Sequence, residues 1–146
     1  MNKLIGSLII SLFISCNSES TSFKLCSGGL YPYYHPELKY KGSFYAIKNH
    51  FYNGYNKVNS ENNNGIVRIQ FRVNCKGQAG DFTMETYSLE YISNDMDDRI
   101  TRQLLKLTQK LDNWIPAVDE DGNTLNSHKF FAFKIINGEL KDILPK

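Results

Sequence analysis

Three stretches of this chain predict an α+β fold in which two helices pack on one face of a small antiparallel three-stranded sheet, in the order α-β-β-α-β. The first runs from Gly65 to Met84. Val67, Ile69, Phe71 and Val73 alternate there with Arg68, Gln70 and Arg72, a glycine-bearing turn follows, and a second strand starts at Phe82. The second is a stripe of Met96, Ile100, Leu104, Leu107, Leu111 and Trp114, spaced by three and four as on one helix face. The third is an aromatic strand from Phe130 to Ile136, with Phe131, Phe133 and Ile135 facing one way and Ala132 and Lys134 the other. A hairpin alone is marginally stable, so its apolar face needs a lid, which the helical stripe supplies.

The 146 residues suffice for one domain with one core, and apolar and charged fractions of 41% and 22% are ordinary for a globular protein. A net charge of +2 is too small to argue for nucleic acid or an anionic membrane surface. One bias stands out: nine aromatic residues, all Tyr or Phe, lie between Tyr31 and Tyr55, whereas the single Trp is at position 114.

Met1 to Lys3 give a short positive start and Leu4 to Ile14 an apolar run of about eleven residues, short of the roughly twenty a permanent span needs. Residues 1–15 therefore read as a secretory signal. The end of the run, Leu12, Phe13, Ile14, Ser15, Cys16, resembles the lipobox of bacterial lipoproteins, with Phe13 where Leu is usual. That resemblance implies cleavage before Cys16 and lipid on that cysteine, hence a membrane anchor. The alternative is a soluble secreted chain with a stray cysteine. With Cys16 lipidated, Cys26 and Cys75 remain as an even pair in a compartment where disulfides persist. They either bridge, tying the start of the mature chain to the hairpin turn, or stay as separately buried thiols.

Residues 16–42 read as a tether and aromatic-rich segment. Asn17 to Ser22 is small and polar, Gly28, Gly29, Pro32 and Pro36 forbid long elements, and Tyr31, Tyr33 and Tyr34 either pack on the domain or form a binding surface. Residues 43–146 form the domain. Ser43 caps a first helix whose Phe44, Ile47, Phe51 and Tyr55 share one face, and Asn59 to Gly65 is a polar loop. His35, His50 and His128 stand at no ligand spacing, so no metal or other cofactor is expected. In the hairpin turn, Gly77 and Gly80 are expected to supply positive φ. Asn94 or Asp95 opens the second helix, with Asp95, Asp97 and Asp98 in its positive first turn, Arg99, Arg102, Lys106 and Lys110 on its wet side, and Pro116 at its end. Asp121 and Gly122 make a turn, and Asn137 and Gly138 another before a short end, Glu139 to Leu144.

In this order, Gly65-Ile-Val-Arg-Ile-Gln-Phe-Arg-Val-Asn, a glycine turn, a second strand, a long helix ending in Trp114-Ile115-Pro116-Ala117, then Asp121-Gly122 and an aromatic strand resemble the C-terminal domain of TonB, over roughly Ser43 to Ile136. Asn74-Cys75-Lys76-Gly77 is similar to a subset found in envelope proteins of the Bacteroidetes type. The resemblance implies a non-catalytic periplasmic domain that grips an envelope protein, or the peptide at the front of an outer-membrane transporter, by adding it to a sheet edge. The candidate edge is the last strand, Lys129, Phe130, Phe131, Ala132, Phe133, Lys134 and Ile135. The alternative is that Glu139 to Leu144 folds back and seals that edge.

Departures from TonB bound the carry-over. In place of a transmembrane helix and a long proline-rich spacer there is a lipid-anchor signal, and the chain has four prolines in all. A tether of about 25 residues reaches at most about 85 Å, so energy transduction is not implied. Two other readings are a structural lipoprotein docking through the Tyr31 to Tyr55 surface, and an enzyme using Cys75 as nucleophile with a histidine base. No phosphate loop, paired carboxylates at catalytic spacing or Cys/His cluster supports the enzyme.

Overall fold

The computed structural model describes residues 22–31 and 38–145. In chain order its elements are β1 (Leu30–Tyr31), β2 (Lys39–Tyr40), α1 (Ser43–Gly54), β3 (Gly65–Val73), β4 (Ala79–Tyr87), α2 (Asp98–Gln109), β5 (Trp114–Ile115), β6 (Asn126–Ile136) and β7 (Glu139–Leu144). The expected alternation in β3 holds: Val67, Ile69, Phe71 and Val73 are fully buried, and Arg68, Gln70 and Arg72 line the opposite face. The turn into β4 is organised by Asn74, whose Oδ1 accepts from the backbone N–H of Lys76 and of Gln78, each at 3.0 Å. Gly77 takes φ +77 there, and a Cβ on it would stand 2.5 Å from the Trp114 carbonyl. Gly80 does not adopt the positive φ expected of it; it is glycine because the Phe23 ring lies where a side chain would be.

β6 pairs antiparallel with β3 over its whole length, from Ser127 opposite Val73 to Ile135 opposite Gly65. Asn137 (φ +50) and Gly138 (φ +72) then reverse the chain, both central residues being left-handed as a two-residue hairpin turn requires, and β7 pairs back onto β6. The α+β class stands, but the sheet is larger than the three strands expected. Its long strands run β7-β6-β3-β4, all antiparallel, with β1 lying parallel beside the start of β6. A second, minimal sheet joins β2 to β5.

Both helices cover the apolar face. The Phe51 ring of α1 stands 5.7 Å from that of Phe131 and 4.7 Å from that of Phe133, and Trp114 packs 5.5 Å from Phe71. Truncating any of these rings to Ala should cost about 3–5 kcal/mol. At the start of α1 the boundary residue is Gly42, and the Ser43 hydroxyl accepts from Tyr45 N–H at 3.3 Å. α2 starts at Asp98 rather than at Asn94 or Asp95, because the Asp97 carboxylate caps it, accepting from Arg99 N–H at 2.8 Å, while Asn94 is bonded back to Thr86 of β4. The predicted stripe from Met96 to Trp114 is buried throughout, yet α2 ends at Gln109 rather than at Trp114. Asp112 and Asn113 are weak helix formers, and the chain gains a better alternative: Trp114 and Ile115 pair with Tyr40 and Lys39, and Lys41 N–H donates to the Asn113 carbonyl at 3.0 Å.

The fold also takes in residues ahead of Ser43. Cys26 and Cys75 are joined by a disulfide with Cα atoms 6.0 Å apart, so of the two alternatives left by the sequence the bridge is the one realised. Asn126 clamps the Cys26 backbone from both sides at 3.0 Å, and Asn74 Nδ2 donates to the Lys24 carbonyl at 2.9 Å.

Candidate functional site

Of the strand expected to be the open edge, the part from Ala132 onward lies inside the sheet, between β3 and β7. Phe130 to Ile136 has β3 on one side, and on the other β7 pairs Ala132 with Leu144, Phe133 with Ile143, Lys134 with Asp142 and Ile135 with Leu140. The cause is the Asn137–Gly138 turn, which delivers Glu139 onto Ile136 and leaves Phe133 and Ile135 no free backbone edge. Their side chains follow the predicted parity. Phe131, Phe133 and Ile135 are buried under the helices, Lys134 is exposed, and Phe130 lies beneath the Arg68 guanidinium, 5.3 Å from its ring.

The exposed edge is β4. Among the described residues it is paired on its outer side only at its end, where Tyr87 bridges to Ser93 and Asn94 N–H donates to the Thr86 carbonyl at 3.2 Å. From Ala79 to Glu85 no strand lies on that side among the described residues. The ladder with β3 slips between Gln70 and Arg72, and Asp81 adopts φ +53 at that bulge, so the edge is bent near its start and regular beyond it. Met84 is exposed on this edge, and the loop that follows presents Leu89, Tyr91 (73% exposed) and Ile92 (68% exposed). Across the sheet, Arg68 pairs with Glu85 at 3.1 Å and Arg72 with Asp81 at 3.0 Å.

A second feature lies on the helix-bearing face. A cavity of about 480 Å³ opens between β2, the start of α1, β5 and Pro145, with Tyr40, Phe44, Ile47 and Trp114 among its walls. Lys129 reaches it from β6 because it sits opposite the inward-facing Phe71. Burial lowers its pKa, and its Nζ stands 5.5 Å from the Phe131 ring centroid. Trp114 is 6% exposed, and its indole N–H has no hydrogen-bond acceptor.

Parity could have found Lys129, since it falls in the same alternating row as Phe131, Phe133 and Ile135; the rest of the cavity depends on the β2–β5 pairing, which two-residue strands do not announce. Cys75 has no free thiol, which removes the nucleophile of the enzyme reading. Among the described residues no group of three His, Cys, Asp or Glu side chains could hold a metal ion, and no helix is long and apolar enough to cross a membrane. Cys16, Tyr33 and Tyr34 lie outside the described residues.

Comparison of the chain with protein-family models, with curated proteins and with solved structures finds no match.

Proposed function

We propose that this chain is a non-catalytic cell-envelope lipoprotein whose TonB-like domain binds a protein or peptide partner by accepting it as an added strand, the partner being an envelope protein or the front peptide of an outer-membrane transporter. The observation that carries the reading is the outer side of β4. Its backbone groups from Phe82 to Glu85 face no strand among the described residues, and exposed Met84, Tyr91 and Ile92 lie alongside to bury the partner's side chains. Backbone pairing would give affinity there, and the apolar side chains selectivity for an extended segment with alternating apolar residues.

The lipid anchor is part of the same reading. Cys16 would hold the chain at a membrane facing the periplasm, and Cys26, ten positions later, is already bonded to the domain. Ten extended residues reach at most about 35 Å, so the leash is shorter than the length of residues 16–42 suggests, and β4 would work close to the membrane surface. Intact mass of the purified mature protein tests the anchor: a diacylated or triacylated Cys16 is expected, and an unmodified residue contradicts it. Titration of the protein with extended transporter-front peptides tests the binding. Saturable binding that Met84→Lys abolishes, with the fold intact by circular dichroism, is the expected result; absence of binding to any such peptide contradicts it.

A further inference from the structure

On the basis of the sheet-edge reading, we propose that the strand β4 accepts is a basic amphipathic one, with Lys or Arg at the alternate positions on the helix-free face of the sheet and apolar side chains between them. Charge is unevenly spread along the chain. From Ala79 to Asp98, which is β4, the loop after it and the first residue of α2, the sequence holds Asp81, Glu85, Glu90, Asp95, Asp97 and Asp98 and no Lys, Arg or His. A chain of net charge +2 thus places six of its 15 acidic residues, and none of its 17 Lys and Arg, on the edge strand and the loop beside it. Glu90 and Asp95 are exposed and form no ion pair among the described residues.

The register of β4 against β3 divides the edge into two rows. Ile69 lies opposite Met84 and the Phe71 ring stacks on Phe82 at 5.3 Å, so Phe82 and Met84 form an apolar row on the helix-bearing face. Gln70 lies opposite Thr83 and Arg68 opposite Glu85, so Thr83 and Glu85 belong to the helix-free face, where Asp81 joins them through its bond with Arg72. These three side chains are exposed. A strand added outside β4 would set its own side chains in the same two rows. Arg72 and Arg68 reach Asp81 and Glu85 from the β3 side, in exposed pairs that are worth little. They bond only Oδ2 of Asp81 and Oε2 of Glu85, and the second oxygen of each carboxylate has no hydrogen bond among the described residues. A cation on the added strand would continue the alternation from arginine to carboxylate across the sheet. A carboxylate there would stand against like charge. A second copy of the chain is disfavoured for the same reason, since pairing two β4 strands brings two of these acidic stretches together.

End-capped peptides of one length, in which valine alternates with lysine, with glutamine or with glutamate, share an apolar row and differ in charge. Each is titrated into the full chain by calorimetry. The expected result is saturable binding of the lysine peptide, about tenfold weaker binding of the glutamine peptide, and weaker binding still of the glutamate peptide. The lysine preference should shrink as salt is raised, a measurement that needs no variant. Asp81→Asn combined with Glu85→Gln should remove most of the preference and keep the far-ultraviolet circular dichroism of the parent, because Asn tolerates the left-handed backbone that Asp81 adopts at φ +53. Equal affinity for the three peptides would overturn the proposal and leave the sheet-edge reading standing, whereas no saturable binding of any of them would end both. A lysine preference that survives the paired substitutions would also overturn it. So would a stable dimer that the lysine peptide does not dissociate, which would give the edge to a second copy.

Discussion

The two outer strands of the sheet, β4 and β7, are finished in opposite ways. β7 is short, and the helical layer holds it down: Tyr52 of α1 donates to the Lys141 carbonyl at 3.0 Å. Its turn is locked from two sides, with Tyr55 Oη–H and Val58 N–H both donating to the Gly138 carbonyl at 2.9 and 3.1 Å. Glu139 pairs with Lys57 at 3.1 Å and with Lys141. β4 is longer, nine residues, and on its outer side only Thr86 and Tyr87 are partnered among the described residues, after which the chain leaves through an exposed apolar loop. Among the described residues neither outer strand has a further strand beside it. β7, however, has six residues and its Lys141 carbonyl is taken by Tyr52, whereas β4 offers the longer run from Ala79 to Glu85, which is why β4 rather than β7 is the place to look for a partner.

The largest expected effect comes from the link that ties the N-terminal segment to the β3–β4 turn. Reducing Cys26–Cys75, which closes 49 residues, should lower stability by about 4 kcal/mol in the loop-entropy description, read as a shift in the urea midpoint. An unchanged midpoint would mean that the β4 end of the sheet needs no such tie. Next is Gly138→Val. Its φ of +72 strains any side chain, and the Val58 carbonyl occupies the space a Cβ would fill, so a loss of about 3 kcal/mol is expected. Amide exchange should accelerate in β7 while the β3–β4 ladder keeps its protection. Equal acceleration in both would erase the distinction between the edges.

Smaller effects follow from protonation around the β6–β7 turn. Hydrogen bonds from Lys141, then Lys57, hold the Glu139 carboxyl below its ordinary value. A folded pKa below the unfolded one gives stability that is present above the carboxylate range, about pH 4, and lost as pH falls through it. Burial, then the Asp97 charge, pushes Tyr55 up to about 12, so its contribution is present below its unfolded value near 10 and is lost as pH rises towards 12. Melting temperature against pH should therefore fall on both limbs. Glu139→Gln should flatten the acid limb and Tyr55→Phe the alkaline one; limbs that keep their slopes in these variants would contradict the assignment. The smallest stability change is expected at the open edge, where Met84→Lys should stay within about 0.5 kcal/mol while removing partner binding.

The contrast also marks how far the sequence could be read. Alternation in β3, the stripe from Met96 to Trp114 and the aromatic parity of β6 are periodic signals, and each gave the right buried set. The helix end at Gln109 was hidden because Leu111 and Trp114 continue the helical spacing while serving a loop and a two-residue strand. Asn137–Gly138 was legible as a turn, yet whether the six residues beyond it would pair with β6 or leave it open depended on tertiary placement that no local pattern encodes. Lys129 is expected on a binding edge, yet its side chain lies in the inward row, which follows from the same two-residue period that placed Phe131. The cavity around it could not be seen, since it is assembled from residues as distant as Tyr40, Trp114 and Pro145.

The most direct test of the open-edge account is amide hydrogen exchange across the sheet, with and without a saturating extended peptide from the front of an outer-membrane transporter. A strand added to β4 should slow exchange at alternate amides between Phe82 and Glu85 and leave β7 unchanged. Protection that rises along Glu139–Leu144 instead, or binding that leaves the β4 amides as they were, would contradict it.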